Sequence, residues 1–98
     1  MNIKDLFNKF KDSASDRTLM KDLSLEVKVI NVPEKTLLSG YIILQDSSGT
    51  LEAATSSNNI YEHLKSYVEK EQPVKLKGRL DKTEYGNIAF TIEEILNQ

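Results

Sequence analysis

Three stretches of this chain carry their apolar residues at every second position. Leu23, Leu25, Val27 and Val29 are interleaved with Ser24, Glu26 and Lys28, and Val74, Leu76, Gly78 and Leu80 with Lys75, Lys77 and Arg79. Ile88, Phe90 and Ile92 form the third set. Successive side chains of a strand leave opposite faces, so a period of two fits strands with one buried and one wet face. Antiparallel pairing around a single core follows from that alternation. A chain of 98 residues has room for one such core and not for a deep internal cavity beside it.

The segments between complete the pattern. Pro33 ends or bends the first strand, since proline cannot donate to a ladder. A second strand is expected over 38–45. Asp46, Ser47, Ser48 and Gly49 then read as a hairpin turn, with Asp46 capping through its side chain and Gly49 free to take a positive φ. A third strand follows over 50–55. Asn59 is the expected N-cap of a helix, with Glu62 three residues on as in a capping box. The inward face of that helix would be Ile60, Leu64, Tyr67 and Val68, and Pro73 stops it. The fourth strand spans 74–80. After a turn at Glu84, Tyr85, Gly86 and Asn87, the fifth spans 88–92, with Glu93, Glu94, Ile95 and Leu96 trailing.

Ahead of these strands, Ile3, Leu6, Phe7 and Phe10 line one face of a helix. About ten residues make a marginal helix in water, so the stripe must dock. It either plugs the domain's own core or binds a partner protein or a second copy of the chain. The polar stretch 11–17 reads as a linker. The expected division is therefore an N-terminal helix and linker over 1–20 and a domain over 21–98.

Three strands, a helix and two strands, in that order, match a five-stranded Greek-key OB barrel. The fold class is mainly β, with a helix between strands 3 and 4 and an N-terminal helical extension. The run GYIILQDSSGTLEA at 40–53 resembles the second and third strands of the anticodon-binding-like nucleic-acid OB domains. Those domains occur in the bacterial DNA polymerase III alpha subunit, in class II aminoacyl-tRNA synthetases and in some bacterial 3′-exonucleases. VKLKGRL at 74–80 resembles their fourth strand, and Glu93, Glu94 and Ile95 the end of their fifth. The likeness covers about three-quarters of the chain and is closest to the polymerase domain. It departs in the loop after the first strand, where Glu34 and Lys35 replace a more basic turn, and in the N-terminal helix, which the family does not share. No polymerase, synthetase or nuclease body is attached, so the chain is either a stand-alone OB protein or an excised piece, and the start at Met1 favours the stand-alone reading.

The resemblance implies a single-strand site across strands 2 and 3, between the loop joining strands 1 and 2 and the loop joining strands 4 and 5. Alternation puts Tyr41, Ile43 and Gln45 on the outer face of strand 2. In the synthetase relatives the aromatic at the position matching Tyr41 stacks on a base, a contact worth about 1–3 kcal/mol. Covering the barrel rim is the bland alternative for Tyr41. Glu52, on strand 3, opposes phosphate but can accept from a base amino group. Lys35 and Tyr85 lie in the flanking loops. Lys75, Lys77, Arg79 and Lys82 form the strongest local positive cluster, three of them at roughly 6.5–7 Å intervals along one strand face. A phosphate backbone would suit that row, as would a plain solvated face guarded by lysines against edge pairing.

Other chemistry lacks its residues. The chain has no cysteine and one histidine, His63, too few for a zinc site of the usual kind. No phosphate-binding glycine loop or nucleophile elbow occurs. Neither catalytic residues nor a cofactor is expected, and the chain reads as a non-enzyme. No apolar run is long enough to span a membrane, and a cytoplasmic location is expected. The net charge of −2 advertises no polyanion partner, so any such partner must be argued locally. Two functions remain: binding of single-stranded DNA or RNA, DNA by the polymerase likeness, as an accessory in replication or repair; or an OB adaptor or dimerisation module without nucleic acid.

Overall fold

The computed structural model describes residues 1–34 and 40–96. Its elements are α1 (Ile3–Phe10), β1 (Arg17–Asn31), β2 (Ile42–Asp46), β3 (Gly49–Ala54), α2 (Asn58–Lys70), β4 (Val74–Lys82) and β5 (Ile88–Ile95). The strands close into a barrel in the order β1-β2-β3-β5-β4, with β4 returning to β1. Every pairing is antiparallel except β3 with β5, which is parallel. This is the mainly β, five-stranded OB barrel expected from the alternation, with a helix between β3 and β4 and another at the N-terminus.

Bulges set the differences in strand length. β1 begins at Arg17, inside the stretch expected to be linker, and Met20 and Leu23 face Leu80 and Gly78 with one residue too many between them. Asp22 takes a positive φ of 54° there. The short polar side chain of Asp tolerates that region, so the strand absorbs the extra residue. A second bulge lengthens β5: Gly78 pairs with Ile92 and Lys77 with Glu94, leaving Glu93 over. The phase of the alternation flips, and Ile95 returns to the core at 4 % exposure. The trailing residues 93–95 are strand for that reason.

Two local expectations are corrected. Ser57 caps α2, its hydroxyl accepting from the Ile60 N–H at 3.3 Å, so the helix starts one residue before Asn59. Tyr61 joins Leu64 on the buried side, and Ile60, Tyr67 and Val68 pack partly buried against the core. The Tyr61 hydroxyl donates to the Pro33 carbonyl, two residues past the end of β1. Gly49 is not in the left-handed region; among the described glycines only Gly86 is, at φ 85°. The expected β2 start at Leu38 lies outside the described residues.

Both ends of the barrel are plugged. α2 runs from the end of β3 to the start of β4 and covers that end. α1 covers the other, with Ile3 and Leu6 fully buried among the strand residues. Asp46, in the β2–β3 turn, accepts from the Ile3 N–H at 2.9 Å, and the Ser48 hydroxyl accepts from the Lys4 N–H at 3.0 Å. Those contacts satisfy N–H groups that the first turn of a helix leaves without partners. At the far end of α1, Lys82 donates to the carbonyls of Phe10, Lys11 and Ser13 at 2.8–3.2 Å. Of the stripe expected either to fill the core or to bind a partner, Ile3 and Leu6 fill the core, Phe10 is half-buried and Phe7 is exposed. No described helix is long and apolar enough to cross a membrane.

Candidate functional site

The outer faces of β2 and β3 form one surface. Ile43 lies opposite Glu52, and Gln45 opposite Thr50. Tyr41, just ahead of β2, is 47 % exposed, while Ile42 and Leu44 point into the core. On the β1 side, Val29 pairs with Leu44 and Asn31 with Ile43, which leaves Ile30 as the extra residue of a bulge; alternating with the buried Val29, it faces outward and stands 45 % exposed. Ile43, opposite Asn31 and Glu52, is on that outer face as well. Tyr41, Ile43 and Ile30 therefore make a small apolar platform on a face that is otherwise polar. Ile30 was missed in the sequence; the only hint was its breaking of the alternation directly after Val29.

The cations divide differently from the sequence expectation. Lys75, Lys77 and Arg79 do share the outer face of β4, but the closed order places β5 on one side of β4 and β1 on the other, so β4 borders neither β2 nor β3. Acids face the row from both neighbours. Glu26 is opposite Lys75, Glu94 is opposite Lys77, and Asp22 pairs with Lys77 at 3.8 Å. The Arg79 Nε donates to both oxygens of Asp81 at 2.9 and 3.1 Å. That hydrogen bond and the nearby charge hold the guanidinium above its ordinary pKa. The row is a balanced lattice of charge rather than an open positive track. Lys82 leaves it altogether: by parity it points inward, is 8 % exposed, and its ammonium is taken up by the carbonyls of Phe10, Lys11 and Ser13 at and just past the end of α1.

Tyr85 projects from the β4–β5 turn and is 84 % exposed. The turn is fixed beneath it: Thr83 N–H donates to the Asn87 carbonyl at 2.8 Å, and Asn87 N–H to the Thr83 hydroxyl at 3.1 Å. Lys35 lies outside the described residues. Between this turn, β3 and α1 runs a groove of about 560 Å³ that takes in Ile43 and Glu52 from the β2–β3 face. Phe7 and Asn8 line its helical side, and Asn87 lines it from the turn. The structure thus brings Tyr41, Ile43, Gln45 and Glu52 onto one surface with the base of the Tyr85 turn at its edge. It sets Lys75, Lys77 and Arg79 apart on β4.

The fold and this surface define a small OB-type β-barrel with an amphipathic helix closing the end opposite α2. Comparison with protein-family models and with curated protein sequences gives no match.

Proposed function

We propose that the chain binds single-stranded nucleic acid, DNA in preference to RNA, across the outer face of β2 and β3, as a cytoplasmic accessory to replication or repair. The observation that carries this reading is the apolar platform of exposed Tyr41 and Ile30 with half-buried Ile43 on a barrel of OB strand order. Such barrels take strands across β2 and β3, and a base stacked on an exposed aromatic gains about 1–3 kcal/mol. Lys28, exposed and opposite Gln45, is the cation next to the platform. Because the β4 cations face acids, stacking supplies most of the affinity and the salt dependence is shallow.

The test is fluorescence anisotropy of labelled dT and rU oligomers of about 12 nucleotides at two salt concentrations. Micromolar binding, tighter for dT and weakened about tenfold by Tyr41→Ala, is the expected result. No binding at low salt in the high-micromolar range ends the proposal. An adaptor docking through the α1 stripe has less support, since Ile3 and Leu6 belong to the barrel's own core.

A further inference from the structure

α1 does more than close the barrel. Its outer side stands away from β3 and the β4–β5 turn and walls the 560 Å³ groove, a size within the range of about 300–1,000 Å³ usual for small-molecule sites. The wall is held at both ends, by Asp46 and Ser48 at its first turn and by Lys82 on the carbonyls of Phe10 and its C-cap Lys11. A wall fixed in this way costs little ordering when a ligand enters. Phe7 is 38 % exposed and lines the groove, although the neighbouring Leu6 is fully buried.

The polar lining selects among ligands. Glu52 offers two acceptor oxygens and no donor. Guanine is the one common base with two adjacent donors, N1–H and N2–H, on its Watson–Crick edge. Adenine and cytosine set one amino group beside a ring-nitrogen acceptor, and thymine sets one N–H between two carbonyls. Each of these would turn a lone pair toward the carboxylate. The side-chain amides of Asn8 and Asn87 can donate to the guanine O6, and Phe7 supplies an aromatic face. Lys11, also on the groove, suits the adjoining phosphate.

We infer that the groove between α1 and β3 is a guanine subsite, with Phe7 stacking on the base and Glu52 accepting from its Watson–Crick edge. The subsite continues the β2–β3 face through Ile43 and Glu52, so it rests on the proposed binding of single strands.

The experiment compares a dT oligomer with the same oligomer carrying one central dG, on the wild-type protein, Glu52→Gln, Phe7→Ala and Tyr41→Ala. The dG strand should bind about tenfold tighter, as for a good bidentate base contact. Glu52→Gln should abolish that preference while binding dT at least as well, because a negative charge is gone from the face. Phe7→Ala should lower dG binding selectively, whereas Tyr41→Ala should weaken both strands alike. Equal binding of the two strands, or a preference that survives Glu52→Gln, overturns the subsite and leaves the proposed function standing. If neither strand binds, the proposed function fails, and titration with GMP and AMP followed by NMR decides the groove. Shifts of the Asn8 and Asn87 side-chain amides with GMP alone support it; no shift, or equal shifts with AMP, overturns it.

Discussion

Lys82 ends β4 with its ammonium against the C-terminal end of α1, where the carbonyls of Phe10, Lys11 and, just beyond the helix, Ser13 accept from it. A cation there satisfies acceptors that a helix C-terminus leaves open and complements the dipole. Lys82→Met should therefore lower the stability measured by urea unfolding by about 1–3 kcal/mol, with the slope unchanged. Gly78 illustrates a different constraint. A Cβ built on it would overlap the Thr91 carbonyl oxygen and press on the Phe90 ring at 3.0 Å. Gly78→Ala should cost more than about 2 kcal/mol in the same assay, since the clash is with backbone of the paired strand. Asp46 adds a pH dependence. Partial burial opposes its ionisation, but hydrogen bonds from the Ser48 hydroxyl and from the Ile3, Ser48 and Gly49 N–H groups outweigh this and hold the carboxyl below its ordinary 3.8. A depressed carboxyl contributes stability above about pH 3.8 that is lost as pH falls through the folded value. The advantage of the wild type over Asp46→Asn should accordingly be present at pH 7 and shrink below pH 4.

α1 is eight residues long and would not persist alone, yet it supplies two of the most buried side chains of the protein. Its own capping box closes between Asn2 and Asp5, with Asn2 accepting from the Asp5 N–H at 2.8 Å. The remaining stability comes from tertiary contacts at either end and from Ile3 and Leu6. Leu6→Ala should lower unfolding stability by about 2–5 kcal/mol, the range for a buried leucine that leaves a cavity. Removing residues 1–13 should be worse than either point change, because it opens the barrel end and strips Lys82 of its acceptors. Thermal unfolding of the truncated chain checks this, and an unchanged midpoint would show that α1 is dispensable to the fold.

At the scale of the molecule, closure of the barrel decides which residues can act together. β4 is separated from β2 and β3 by a strand on each side, so its cations and the Tyr41 platform occupy different sectors of the surface. Lys77→Glu should leave oligonucleotide affinity within about twofold at moderate salt, since exposed charges beyond a Debye length of about 10 Å are largely screened. A loss as large as that from Tyr41→Ala would mean that the strand path runs over β4 instead. The groove beside α1 also belongs to this scale. It is assembled from helix, strand and turn far apart in the chain, and neither its volume nor the pairing of Phe7 with Glu52 follows from any one element.

By itself the sequence determined the five strands, the helix between the third and fourth, and which face of each strand is buried. Period-two alternation is a local property and survives whatever the partner strand is. It also assigned Tyr41, Ile43 and Gln45 to an outer face by parity alone. Only the tertiary structure decided the rest. A bulge shifts parity by one residue, so Ile95 enters the core only once pairing fixes where the extra residue of β5 falls. Lys82 reads as a surface cation until α1 is docked, because its three acceptors lie about seventy residues away in the chain. The β4 row reads as basic because the acids that face Lys75 and Lys77 come from β1 and β5, whose register only barrel closure sets.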